Sequence, residues 1–338
     1  MSATLIFGGG GFVGSELVQT LIAAGKSPII LVDRRPVAVT AQLSRTNRGV
    51  EILAIQADSL NSVSIPWEIE TVIVLAGQTD VDEALEFPTH AFRANVDIAI
   101  EAGEWLRRNP RARLVYLSSD EVLGASSVPL GESSEMRPTQ PYAASKAAAE
   151  MILDCYCRTY NLDLVILRSC NLVGGGQRAR KLIPIAVTKL GLGEPVPIYG
   201  SGEHVREWLA VEDLCNAILY AVHRRMPAGR YHCSVSFRLR SVDVVELVAT
   251  AMHVEPRWSH VSDRLVHDVS YAMSSDLLKS YGWLPRQDVP SAIKAAARSL
   301  ERARQAGEDL TGRDKLGPTP TVSRLDPRSS TDGHPECR

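Results

Sequence analysis

Gly8, Gly11 and Gly14 follow directly on the apolar run Thr4-Leu5-Ile6-Phe7 and lead into the amphipathic stretch Ser15 to Gly25. No other feature restricts the possible folds as much. A short buried strand, a turn of G-x-x-G-x-x-G spacing and a helix closed by a C-cap glycine make the first half of a βαβ unit. Glycine lets the chain turn sharply and lets a pyrophosphate approach the helix N-terminus, where free amides and the helix dipole favour anions. The loop, with Phe12 and Val13 at its helical end, is therefore a candidate dinucleotide cradle. A bare flexible turn would have the same glycines, but a second feature is present. The next apolar run, Pro28 to Val32, ends in Asp33, about 20 residues after the loop, where an acid bonds the adenosine ribose hydroxyls. Asp33 favours NAD because its carboxylate repels a 2′-phosphate. Arg34 and Arg35 leave the other reading open, since an arginine there can accept that phosphate.

The alternation continues. Residues 51–58 read as a third strand; its terminal Asp58, followed by Ser59, either faces adenine or caps the next turn. Residues 71–77 form a fourth strand ending in Leu75-Ala76-Gly77, small enough for a cofactor to lie close. A helix from Ala91 through Asn95 to about Arg108 precedes the run Leu114-Val115-Tyr116-Leu117, and residues 164–168 form a sixth strand. Strands alternating with helices call for an α/β fold with a doubly wound parallel sheet and right-handed crossovers.

In such sheets ligands sit at the carboxyl ends of the strands. There the fifth strand turns polar as Ser118-Ser119-Asp120-Glu121, and Tyr142 and Lys146 follow at i,i+4 spacing on one helix face. A hydroxyl, a phenol, an ammonium and two carboxylates are acid–base equipment. A Tyr with its pKa lowered by a neighbouring Lys can take a hydroxyl proton while hydride leaves for NAD. Taken singly, the Tyr–Lys pair would also suit a surface helix, and the acidic pair a solvated turn.

At 338 residues and 45% apolar the chain can bury a large core, and a net charge of −2 points to neither nucleic acid nor an anionic membrane. Cysteines 155, 157, 170, 215, 233 and 337 lack paired metal-ligand spacing and read as free thiols in a reducing cytosol; no metal is expected. The first strand begins without a basic leader, no apolar span reaches about 20 residues, and a cytoplasmic protein is expected. From Gly174 the texture changes, with three glycines, basic residues and prolines at 184, 195 and 197. We expect a cofactor domain of residues 1–173 plus 207–234, a smaller mixed α/β lobe of 174–206 plus 235–306, and a disordered tail of 307–338 rich in Pro, Ser, Arg and Asp.

Across most of residues 4–300 the chain resembles the extended short-chain dehydrogenase/reductases that act on nucleotide sugars, and within them the dTDP-glucose 4,6-dehydratases. The resemblance rests on Gly8 to Gly14, Asp33, Ser118 to Val122, Pro141-Tyr142 with Ser145-Lys146, Lys181 to Pro184, Val196 to Gly202, Arg206-Glu207-Trp208 with Val211-Glu212-Asp213, and late Tyr271-Ala272 and Gly282-Trp283-x-Pro285. It implies a Rossmann-like fold, bound NAD, a nucleotide-diphosphate-sugar substrate and a homodimer built on the helices beginning near Ala91 and Tyr142. It also implies roles: Asp120 as acid, Glu121 as base, Ser119 assisting Tyr142, and Arg206 and Arg264 on the diphosphate. Asn171, Lys181, Leu182, Pro197, Tyr199 and His267 fall at its substrate-contacting positions. A 4-epimerase or uronate decarboxylase on the same scaffold, or a non-catalytic NAD-sensing protein, are the competing readings. Epimerases have no need of the acidic pair, and sensors generally lose the Tyr or Lys. The departures lie on the sugar side: Asp80 and Glu83 replace a His and an Arg, Leu172 and Gly175 replace an Asn and a Pro, and the loop 125–140 is short. They leave the sugar open.

Overall fold

Every other residue of a strand faces the same side of its sheet, and the first strand shows what covers each side here. In the computed structural model, which describes residues 2–33, 50–177 and 180–307, β1 (Ser2–Phe7) sends Ile6 into one core and Leu5 and Phe7 into another. Both faces are buried, which is why its sequence is continuously apolar rather than alternating. The central sheet adds β2 (Ile29–Asp33), β3 (Ile52–Gln56), β4 (Glu68–Val74), β5 (Arg113–Ser119), β6 (Asp163–Ser169) and β10 (Gly229–Cys233). All its pairings are parallel, in the order β10-β6-β5-β4-β1-β2-β3. The strand order reverses between β1 and β4, so a crevice opens at their carboxyl ends, where Gly8 and Leu75-Ala76 lie.

On one face α1 (Phe12–Ala23) packs against α6 (Val211–Val222), with Leu17, Leu21, Leu214 and Ile218 fully buried. On the other, α3 (Pro88–Arg108) packs along α4 (Pro141–Tyr160), burying Ala99, Leu106, Ala149 and Leu153. A short α2 (Val81–Glu86) precedes α3. A third apolar cluster lies among α5 (Leu182–Gly191), α7 (Ser241–Met252) and α9 (Val289–Gln305). Beside it run the parallel pair β8 (Val196–Tyr199) and β12 (Trp258–Val261), and the three strands β11 (Arg238–Arg240), β9 (Val205–Ala210) and β7 (Asn171–Val173). Strand β9 joins the two parts: Trp208 enters the third cluster and the next residue, Leu209, enters the core under α1. Within the stretch 235–306, Met273, Leu278 of α8 (Asp276–Ser280) and Trp283 also join the core under α1.

Several boundaries differ from expectation. Helix α1 starts at Phe12 rather than Ser15, so Gly11 is its N-cap and Gly14 lies inside it. A side chain at Gly14 would meet the Gly8 and Gly9 backbones at 2.6–2.7 Å, which is why glycine occupies a helix interior there. Strand β3 ends at Gln56, and the cap of the following 3-10 turn is Ser59, whose hydroxyl accepts from Asn61 N, so Asp58 is not the cap. Strand β4 stops at Val74, and α2, capped by Asp80, went unanticipated because it is only six residues long. The expected flexible crossing at Gly174 is a packing position: a Cβ there would strike Val211 and the Phe12 ring. Arg34, Arg35 and the expected tail lie outside the described residues, the tail except for Gly307.

Candidate functional site

Strand β5 ends by running into a 3-10 turn, Asp120–Leu123, capped by the Ser119 hydroxyl, which accepts from Glu121 N at 3.3 Å. The turn closes on Gly124 at φ +73°, where a side chain would strike Arg137 O. The tight turn keeps Asp120 and Glu121 at the strand end instead of extending them into solvent. Ser119 Oγ donates to Asp120 Oδ1 at 3.1 Å, and it is a neighbour that acts to lower the Tyr142 hydroxyl. Tyr142 and Lys146 stand on the first turns of α4, buried beneath this end of the sheet. The structure thus brings Ser119, Asp120, Glu121 and Tyr142 from two separate segments together, with Lys146 one turn further along α4 and bonded to β5.

Their environments differ. Burial, then the neighbouring Glu121, pushes Asp120 up to about 8. Burial also raises Glu121, but Arg206, Lys181, the Gln140 amide and Arg264 all act to hold it down. The cations therefore favour charge on Glu121, while Asp120 keeps its proton near neutrality. Burial brings Lys146 down to about 8. One expectation fails: Lys146 does not lower Tyr142. Its Nζ donates to Leu117 O at 2.8 Å and to Tyr116 Oη at 3.1 Å, while burial and the two carboxylates raise Tyr142.

The candidate cradle lies across the crevice. Gly8, at φ +92°, has Ala76 N 2.5 Å from where a Cβ would be, so only glycine lets β1 and β4 meet there. Leu75 and Ala76 both donate to Phe7 O. A Cβ at Gly11 would meet only Gly8 O, at 3.3 Å, and no side chain caps α1. An open glycine face before uncapped amides is what a pyrophosphate requires. Asp33 Oδ2 accepts from Gly10 N at 2.9 Å, setting its carboxylate beside the loop. These residues fit a dinucleotide such as NAD. Phe12 lies half-buried with its ring toward Gly174, and the carbonyl of Val13 faces Cys215. Asp58 is exposed, and Ser59 Oγ donates to Glu101 at 2.5 Å. Asn95 is buried and braces the site from behind: it accepts from Gln78 N and donates to Gln78 O and Ser145 Oγ, leaving no free N–H to offer. A Cβ at Gly77 would meet Asn95 Oδ1 at 2.6 Å.

On the lobe side, Lys181 donates to Thr79 O at 2.7 Å from the cap position of α5, with Leu182 next to it. Asn171 pairs with Trp208, and Pro197 lies in β8 opposite Ser259. Arg206 lies over the Tyr271 ring at 4.7 Å. Arg264 lies over Tyr199 at 4.5 Å and makes a two-pronged ion pair with Asp82, at 2.6 and 2.9 Å. His267 bonds Asp263 at 2.6 Å and stacks on His204 at 3.5 Å with ring planes 15° apart. His204, Asp263 and His267 each bring one nitrogen or oxygen to within 4.8 Å of the others, but the charges of Arg206 and Arg264 bear on His267 and suit an anion better than a cation. The acidic replacements also find partners, with Asp80 and Glu83 both close to Arg180. Sequence reasoning missed Gln140, Tyr116, Asp82 and His204. Each gains its neighbour only through the fold, across 19 to 182 residues.

Known proteins match this arrangement. The model of the NAD dependent epimerase/dehydratase family matches residues 4–233. A probable dTDP-glucose 4,6-dehydratase of Sinorhizobium fredii is 30% identical over 320 residues, covering 86% of this chain and 90% of that protein. A dTDP-glucose 4,6-dehydratase of Streptomyces niveus is 30% identical over 304 residues, covering 83% and 88%. Among solved structures, the dTDP-glucose 4,6-dehydratase DesIV of Streptomyces venezuelae, with NAD bound, superposes with a TM-score of 0.82 at 26% identity, over 91% of this chain and 99% of that one. MoeE5 in complex with UDP-glucose and NAD gives 0.80 at 25%, over 90% and 100%. Glycine cradle, strand-end acids, Tyr–Lys helix and these likenesses converge on one conclusion: the chain belongs to the NAD dependent epimerase/dehydratase family.

Proposed function

We propose that this protein is an NAD-dependent nucleotide-sugar 4,6-dehydratase. The observation that carries the reading is the adjacent pair Asp120 and Glu121 at the end of β5, one bonded by Ser119 and the other by Gln140, which also holds the Tyr142 backbone. Bound in the crevice, NAD supplies a hydride acceptor for the sugar C4 and later the donor for C6. Everything else is done by this chain. Tyr142 takes the C4 hydroxyl proton as its phenolate, a form that the positive nicotinamide of bound NAD would favour against the burial and carboxylates that raise it, with Ser119 aligning it. The resulting ketone makes the C5 proton acidic, and Glu121 removes it. Asp120 protonates the C6 hydroxyl, which leaves as water, so one acid and one base act across one carbon–carbon bond. Arg206 and Arg264, planar bidentate donors suited to phosphate oxygens, grip the diphosphate with the Lys181 ammonium beside them; Asn171 contacts the diphosphate or the sugar, Tyr199 packs on the base, and Leu182, Pro197 and His267 complete the substrate side.

The matched dehydratases named for dTDP-glucose support that nucleotide sugar as the first substrate to try. The reading divides the chain as the sequence suggested, with 1–173 plus 207–234 on the cofactor side and 174–206 plus 235–306 on the sugar side. It places the enzyme in the cytoplasm, in keeping with the unpaired thiols of Cys170, Cys215 and Cys233. No helix among the described residues is long and apolar enough to cross a membrane. It makes the enzyme a homodimer, supported by the exposed apolar side chains Phe92 and Ile100 on α3 and Met151 on α4; sedimentation as a monomer at micromolar concentration would remove that part. The test of function is product mass after incubation with dTDP-, UDP-, GDP- and CDP-hexoses. Loss of one water supports the dehydratase; an inverted sugar of unchanged mass would show an epimerase.

A further inference from the structure

Gln140 sits between the two halves of the site. It is buried, caps α4, and accepts from Tyr142 N through Oε1 at 2.7 Å. Its Nε2 donates to Glu121 Oε2 at 2.6 Å. The orientation of this amide is not arbitrary. A backbone N–H can only donate, so Oε1 must face Tyr142, and Nε2 is thereby left facing Glu121. An amide N–H pointing at a carboxyl oxygen favours the ionised form, and a bond to a charged acceptor is about twice as strong as a neutral one. Asp120, the other carboxyl of the pair, is offered only the Ser119 hydroxyl at 3.1 Å among its hydrogen bonds in the described residues.

We propose that Gln140 is a positioning residue that fixes Glu121 as the proton acceptor and ties its oxygen to the turn carrying Tyr142. One side chain then sets the distance between the group that takes the hydroxyl proton and the group that takes the carbon proton. It also decides which of two adjacent carboxyls is the base. The proposal rests on the dehydratase reading for its purpose, but not for its chemistry. The other charged or titratable groups facing Glu121 are Asp120 on its own turn, Lys181 before α5, Arg206 on β9, Arg264 after β12, Tyr142 on α4 and Tyr271. The cations among them are the groups proposed to grip the diphosphate, so substrate draws on their charge, whereas the Gln140 donor is held in place by the α4 cap.

Two variants separate positioning from capping. Gln140→Ser keeps a good N-cap acceptor but removes the donor to Glu121. Gln140→Glu keeps shape and cap but replaces the donor with a second carboxylate. The direct measurement is an infrared titration of the Glu121 carboxylate in the NAD-loaded protein, assigned by its disappearance in Glu121→Gln. Losing one charge-assisted hydrogen bond should move this titration up by about one pH unit in Gln140→Ser, and further in Gln140→Glu. With dTDP-glucose, the acidic limb of the elimination rate should move with it, while C4 oxidation changes less. Unmoved Glu121 titration in both variants, or equal loss of oxidation and elimination with no shift, would overturn the proposal. A shifted titration in a protein that dehydrates no nucleotide sugar would sustain Gln140's role and sink the dehydratase reading instead.

Discussion

Asp120→Asn is the perturbation with the most definite expected result. With its carboxyl pushed up to about 8 by burial and Glu121, Asp120 favours its protonated form at pH 7. Asparagine therefore removes a proton donor without removing much charge, and the field around Tyr142 changes little. Oxidation at C4 should stay within about threefold of wild type. Elimination, deprived of its general acid, should slow by about 10²–10⁴-fold, equivalent to about 3–5 kcal/mol on that step. The pH dependence gives a second handle. The wild-type elimination rate should fall about tenfold per unit above pH 8 as the donor is lost, and the variant should lack that limb. The assay is single-turnover nicotinamide absorbance with product mass on the same samples; the variant should accumulate the reduced cofactor and the 4-keto sugar. Wild-type elimination in Asp120→Asn, or an equal loss in both half-reactions, would refute the assigned role.

Other perturbations test other parts. Gly11→Val should abolish NAD binding by calorimetry while the fold survives, because only Gly8 O lies near the added Cβ; Gly14→Ala should lower Tm instead, because its Cβ strikes backbone. Buried His232 donates from Nδ1 to Leu130 O and presents Nε2 to the Arg168 guanidinium, and burial with that charge depresses it to about 4. The unfolded chain binds that proton near 6.5, so stability is full above about 6.5 and falls as pH drops toward 4, by up to about 3 kcal/mol; a His232→Gln variant should show a shallower Tm decline between pH 7 and 5. Glu150→Gln strands the fully buried Arg168, its partner at 2.7 Å, and should cost about 3–5 kcal/mol in a urea titration.

Much of this molecule is legible in its sequence, for identifiable reasons. Strands buried on both faces announce themselves as apolar runs, and the glycine loop ending in Asp33 at the next strand leaves few alternatives for β1, α1 and β2. The strand-end acids and the Tyr–Lys pair could be read because each is local. What could not be read depends on the third dimension. Lys146 has its nearest acceptors in Tyr116 and Leu117 across the sheet, so a depressed Tyr142 was inferred from spacing that the packing does not honour. Gln140 looked like loop, since neither the cap nor the bond to Glu121 leaves a periodic trace. Asp82 meets Arg264 across 182 residues, and Gly174 seemed a hinge until the Phe12 ring appeared against it. Asn95 stands near the cofactor crevice but spends its amide on Gln78 and Ser145, a distinction no motif records.

The account stands most directly on what happens to hydrogen at C5. Purified protein incubated with dTDP-glucose in heavy water should release a 4-keto-6-deoxy product that has lost one water and gained one solvent deuterium at C5, with NAD regenerated. Glu121→Gln should make no such product and should stall as the 4-keto sugar with its C5 proton unexchanged. An intact-mass sugar inverted at C4 and free of deuterium, from dTDP-glucose or any other nucleotide hexose, would contradict the roles of Asp120 and Glu121.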